Sequence, residues 1–156
     1  MNERRRLFLK GTLAVGTLSV AAGAGLLSPR AVLAAWPEAA FKGKTVEDAL
    51  KELLGSAGYE TSDAINIKAP DIAENGAVVP VTVSSTLKDV TEIAILSSSN
   101  PSPLTSAYEL GKGTHPYIST RIKMGKTGDV IAVVKSGGKT FGTKKQVKVT
   151  IGGCGG

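Results

Sequence analysis

The chain has 156 residues, with 19 Lys and Arg against 13 Asp and Glu, a formal charge of +6. Five of the basic residues (Arg4, Arg5, Arg6, Lys10 and Arg30) fall in the first 34 positions against Glu3 alone, so the rest of the chain stands at only +2, and an excess placed there is no footprint of nucleic-acid binding. One His and one Cys leave little from which to build a Ser-His-Asp triad or a His/Cys metal centre, so neither a catalytic group nor a metal site is predicted.

Arg4-Arg5-Arg6-Leu7-Phe8-Leu9-Lys10 heads a mildly apolar stretch that runs from 11 to about 27. The pair Arg5-Arg6 followed by Phe8-Leu9-Lys10 resembles a twin-arginine export signal, with Arg4 standing where that signal usually has a polar residue. The stretch is rich in Gly, Ala and Thr and falls short of the ~20 strongly apolar residues a membrane span needs. Pro29-Arg30 ends it, and Ala31-Val32-Leu33-Ala34-Ala35 offers small residues to a signal peptidase. The predicted cut follows Ala34, with Ala35 the runner-up. Residues 1–34 are therefore read as a cleaved leader that delivers the protein to the periplasm, with no membrane attachment afterwards.

Residues 35–151 read as one domain. Thr45 can cap a helix, with Asp48 in the capping-box position. Val46, Ala49, Leu50, Leu53 and Leu54 share one helical face, and Gly55 or Gly58 ends it. From Tyr59 onward the pattern is β. Ile65 and Ile67 alternate, Asn75-Gly76 marks a turn, and Val79, Val81 and Val83 alternate with Pro80, Thr82 and Ser84. Pro80 lacks a backbone donor, which predicts an edge strand or a bulge. Further strands are predicted around Ile93 and Ile95, over 106–110, around Ile118 and Ile122, over 130–134, and through Val147, Val149 and Ile151. Ser136-Gly137-Gly138-Lys139 is a hairpin signal. The sum is a mainly β chain: an antiparallel Ig-like β-sandwich of about seven strands with one N-terminal helix.

The last strand runs directly into Gly152-Gly153-Cys154-Gly155-Gly156. Glycine on both sides leaves the backbone thin and conformationally free. Residues 152–156 thus read as a flexible arm on a rigid base, able to carry the Cys154 thiol roughly 10 Å beyond Ile151. An odd cysteine in an oxidising compartment points to a reactive thiol or to intermolecular pairing. Lys144, Lys145 and Lys148 are the nearest fixed cations. They fit a solvated, edge-protecting strand, and they could also favour the thiolate or attract an anionic adduct if the arm folds back. His115, before Pro116, is read as a loop residue without a role.

The run Val147-Lys148-Val149-Thr150-Ile151-Gly152-Gly153-Cys154-Gly155-Gly156 resembles the C-terminus of the SoxY family, the sulfur-carrier subunits of the periplasmic thiosulfate-oxidising multienzyme system. Residues 72–81, Met124-Gly125 and 130–134 agree with it, as does the leader. The resemblance implies a carrier and not an enzyme. Thiosulfate-derived sulfur would be held covalently on Cys154, with Gly152, Gly153, Gly155 and Gly156 providing access, and no cofactor would be bound. It also implies a heterodimer with a SoxZ-like β-sandwich subunit. Catalysis would belong to a c-type cytochrome, a sulfate-releasing hydrolase and a sulfane dehydrogenase. The competing reading is an exported β-sandwich binding module that forms an intermolecular disulfide, and hence a homodimer, through Cys154.

Overall fold

Two helices come first in the structure, a computed structural model that describes residues 37–150. Helix α1 spans Glu38–Lys42 and helix α2 spans Val46–Leu54. In α2 the Thr45 hydroxyl accepts a hydrogen bond from the Asp48 N–H at 3.0 Å, satisfying one of the donors that a helix N-terminus leaves over. The helix closes at Gly55, whose φ of 75° and bond to the Lys51 carbonyl suit a residue without Cβ. Its apolar face buries Ala49, Leu50 and Leu54. The sequence predicts a single helix; α1 is a second, and five residues are too few to display a helical period.

Nine strands follow: β1 (Glu60–Thr61), β2 (Ile65–Lys68), β3 (Ile72–Ala73), β4 (Val79–Ser85), β5 (Val90–Ser97), β6 (Leu104–Glu109), β7 (Tyr117–Ile122), β8 (Gly128–Ser136) and β9 (Lys139–Val149). The larger sheet has the order β1-β9-β8-β5-β6, with β3 also on β9, and the smaller has the order β2-β4-β7. Pairing is antiparallel except for β1 and β3, which both run parallel to β9. These two short strands account for the excess over the expected seven.

The alternation of side chains puts Val79, Val81, Val83, Ile93, Ile95, Val130, Ala132, Val134 and Val147 into one cluster between the sheets. Each fully buried side chain of this size contributes about 1.5–3 kcal/mol. The intervening residues of β5 and β8 (Ala94, Leu96, Ile131 and Val133) form a second cluster with Ala40, Ala49, Leu50 and Leu54 of the helices. The central strands are therefore buried on both faces, which is why 130–134 is an unbroken apolar run. Helices, large sheet and small sheet make three layers.

Pro80 is accommodated differently from a simple edge. β4 is the middle strand of the small sheet, but its pairing with β2 ends at Thr82. Pro80 therefore has a strand neighbour on one side only, opposite Arg121, so the missing N–H costs no ladder bond on the other. The β8–β9 hairpin turns through Gly137 and Gly138, with φ 56° and 78°, the two positive angles that a tight two-residue loop demands.

Candidate functional site: the end of the last strand

The proposed attachment residue Cys154 and the glycines Gly152, Gly153, Gly155 and Gly156 lie outside the described residues, as does Ile151. What the structure defines is the platform from which that segment leaves. β9 is held on both sides at its last residues. On one side Lys148 N–H donates to the Asp71 carbonyl at 2.9 Å and Thr150 N–H to the Ala73 carbonyl at 3.1 Å. On the other, Val149 N–H donates to Thr127 Oγ1 at 2.9 Å. β8 begins opposite Val147, so the threonine hydroxyl replaces the strand partner that Val149 lacks.

Three loops brace this end of the sandwich. Gly76 in the 75–78 turn accepts a hydrogen bond from Met124 N–H at 2.7 Å. An added Cβ there would lie 2.8 Å from Val149 Cγ1 and in hard contact with the Met124 carbonyl oxygen. Asn100 donates through Nδ2 to the Lys123 carbonyl at 2.7 Å and accepts from Gly125 N–H at 3.0 Å. Ser99 donates to the Lys126 carbonyl at 2.9 Å, and Ser98 accepts from Asp129 N–H at 2.9 Å. The residues that hold the end of β9 thus lie up to 77 positions away from it in sequence, and no local motif announces them.

The three expected lysines divide. Lys144 pairs with Asp129 at 3.5 Å. Lys145 donates to the Ala69 carbonyl at 2.7 Å and pairs with Asp71 at 3.0 Å, bridging the stretch of β9 between its contacts with β1 and β3. Lys148 is exposed and forms no ion pair among the described residues. The edge-protecting reading is corrected here: β9 has β8 on one side and β1 and β3 on the other, and two of its lysines are spent on holding it. Lys123 and Lys126, which sequence reasoning did not single out, are exposed cations on the bracing loop and also form no ion pair among the described residues.

His115 lies exposed in the β6–β7 connection, at the end of β7 opposite Met124 and the arm root. Among the described residues no group of three or more His, Cys, Asp or Glu could hold a metal ion, and no helix is long and apolar enough to cross a membrane. A shallow trough of about 550 Å³ runs along the outer face of the small sheet, lined by Lys68, Pro70, Pro80, Thr82 and Tyr117 among others.

The family model for "Sulfur oxidation protein SoxY" matches residues 50–154. The chain belongs to the SoxY family. The SoxY family match extends from within α2 to Cys154, beyond the end of the last strand. Among solved structures, the chain is similar to the sulfur carrier protein SoxY from Chlorobium limicola f thiosulfatophilum, with 41% identity and a TM-score of 0.63, over 69% of this chain and 97% of that one. It also resembles a superoxide reductase (neelaredoxin) from Ignicoccus hospitalis, with 15% identity and a TM-score of 0.52, over 59% of this chain and 95% of that one. The second likeness shows the β-sandwich alone. No curated protein matches the chain.

Proposed function

We propose that this SoxY-family protein is the covalent sulfur carrier of a thiosulfate-oxidising system, with Cys154 as its attachment point. The observation that carries the reading is the family match through residue 154, together with the Chlorobium relative, which is itself a sulfur carrier. The braced end of β9 supports it, because a handle must leave from a fixed point if it is to be aimed.

The chemistry balances as follows. The Cys154 thiolate and the sulfane sulfur of thiosulfate join as an S–S bond, and the two electrons released pass to a c-type cytochrome partner. Water then cleaves the bond between the adduct's sulfane sulfur and its sulfonate on a hydrolase, giving sulfate, two protons and a persulfide on Cys154. A sulfane dehydrogenase removes six electrons from the outer sulfur as three waters supply its oxygens. A second hydrolysis releases sulfate and restores the thiolate. The chain contributes a nucleophilic thiolate with unobstructed access and no catalytic group. A SoxZ-like sandwich is its constant partner, and the periplasm is its compartment, reached by the twin-arginine route.

Intact mass measurement of the protein from thiosulfate-grown cells, under conditions that preserve adducts, is expected to show sulfur species on the Cys154 peptide. Cys154→Ser is expected to abolish thiosulfate oxidation while leaving the unfolding midpoint unchanged. Recovery of unmodified thiol alone would overturn the proposal.

A further inference from the structure

We infer that the surface around the arm root, carrying Ile72, Val78, Lys123, Lys126 and Lys148, is the docking face for the enzymes that process the carrier's cargo, and that those enzymes meet it with an apolar contact ringed by carboxylates. The inference rests on the carrier reading above and adds to it the location and chemistry of the partner surface.

Reach fixes the location. Cys154 is four residues beyond Thr150, whose N–H is bonded to the Ala73 carbonyl, so the thiol can travel at most roughly 14 Å from that anchor. An enzyme that takes the sulfur into a recessed site uses much of that length to enter, and its mouth must close over the residues beside Thr150. Those residues are unusual for a solvated surface. The exposed large hydrophobic residues of the described chain are Ile72, Val78 and Tyr117. Two of these three sit on the segment that wraps the end of β9. Ile72 is 57% exposed and lies beside Lys148 across the β3–β9 pair. Val78 is 50% exposed and closes the 75–78 turn, whose Gly76 is pressed on Val149. Neither is explained by packing, because the neighbours Ala73 and Val79 fill the core in their place.

Charge fixes the chemistry. Lys148 borders Ile72, and Lys123 and Lys126 flank the loop that caps Val149 through Thr127. These three cations form no ion pair among the described residues, whereas Lys144 and Lys145, on the same strand, do. Apolar anchors beside three unpaired cations, with Glu74 the one exposed carboxylate on the 72–78 segment between them, suit a partner with a net excess of acidic groups, which raises the encounter rate and aligns the arm with the channel.

The test uses the full carrier with its sandwich partner subunit, loaded with thiosulfate-derived sulfur, and the sulfate-releasing hydrolase. Ile72→Glu and Val78→Glu are each expected to lower kcat/KM for sulfate release by about tenfold or more, while the rate at which a small disulfide reagent modifies unloaded Cys154 stays at the wild-type value. Tyr117→Glu, at the far end of the β4–β7 pairing, should process normally. Lys126→Glu and Lys148→Glu should flatten the dependence of kcat/KM on ionic strength. Folding is controlled by the unfolding midpoint, and Ile72→Ser serves where the charged variant falls short. Unchanged kcat/KM in both apolar variants would overturn the proposal, as would an equal loss in Tyr117→Glu. Loss of the sandwich subunit from the variants, with normal processing once it is resupplied in excess, would overturn it too, because the face would then belong to that subunit. A wild-type carrier that accepts no sulfur on Cys154 would defeat the carrier reading itself, a different result from a loaded carrier whose variants behave normally.

Discussion

Gly76 illustrates how a residue can be expected for one reason and required for another. Asn75-Gly76 reads as a turn, and a turn forms: Asn75 Oδ1 accepts from Ala77 N–H at 2.9 Å. Yet the residues of positive φ among those described do not include Gly76, so the backbone there is open to any L residue. The requirement is space, because a Cβ would meet the Met124 carbonyl and Val149 Cγ1. Gly76→Ala is therefore expected to destabilise the protein by about 1–3 kcal/mol, as overpacking does, measured as a lower urea midpoint. A wild-type midpoint would show that the turn yields without cost. Glu92 carries a different tension. Burial raises its carboxyl above the ordinary 4.5, Lys135 opposes the shift, and Glu109 adds to it. A carboxyl whose folded pKa exceeds its unfolded value binds more protons in the native state, so its contribution to stability falls as pH rises through the folded pKa. Glu92→Gln should therefore stabilise the protein at neutral pH, and the gain should vanish as pH drops through that pKa to below the ordinary carboxylate value. Urea midpoints of both proteins at about pH 7 and about pH 4 read this difference, and an equal gain at both would exclude titration as its cause.

At the scale of elements, the sequence was legible wherever a period had room to repeat. α2 shows its cap, apolar face and terminal glycine, and β4, β5, β8 and β9 show alternation or a doubly buried run. The two-residue strands β1 and β3 were not legible, because Glu60-Thr61 and Ile72-Ala73 are too short to alternate and their parallel pairing with β9 closes over 70 positions of chain. They are nonetheless what makes β9 an internal strand and its end an anchor. The cysteine and its glycines are singled out by the sequence alone, and they lie outside the described residues. Their platform is not singled out, because the Thr127 hydroxyl, the Asn100 amide and the Asp71 carbonyl bind backbone groups that they meet only in the fold. Thr127 is the clearest case: its hydroxyl accepts from Val149 N–H and itself bonds to the Val149 carbonyl at 3.4 Å. Thr127→Val keeps the shape and removes both bonds, at a cost of about 1 kcal/mol. The amide protons of Val149 and Thr150 should then exchange faster than in the wild type while those of β8 keep their protection. Uniform loss of protection would mean instead that the hydroxyl supports the whole sheet.

For the molecule as a whole, the proposed twin-arginine leader and the proposed carrier role make one argument. The twin-arginine route moves folded proteins, and this chain has no cofactor of its own in the proposed cycle that would require folding before export. Folding before export is useful if the cargo is a pair. A SoxZ-like subunit without a signal could cross only as a passenger, bound to a sandwich already assembled on three layers and two apolar clusters. Such a pair would stay together only if its association survives transit, so a twin-arginine leader would select for a tight heterodimer. Replacing Arg5 and Arg6 together by Lys keeps the charge and removes the guanidinium pair that the proposed twin-arginine route would read. The expected result is accumulation of uncleaved precursor in the cytoplasm and loss of both this chain and its partner subunit from the periplasm, followed by fractionation and immunoblotting. Grafting a general secretory leader that moves unfolded chains onto the same domain should return this chain to the periplasm but not the passenger. Finding the passenger restored as well would show that it crosses by a route of its own, and the twin-arginine leader would then need another explanation.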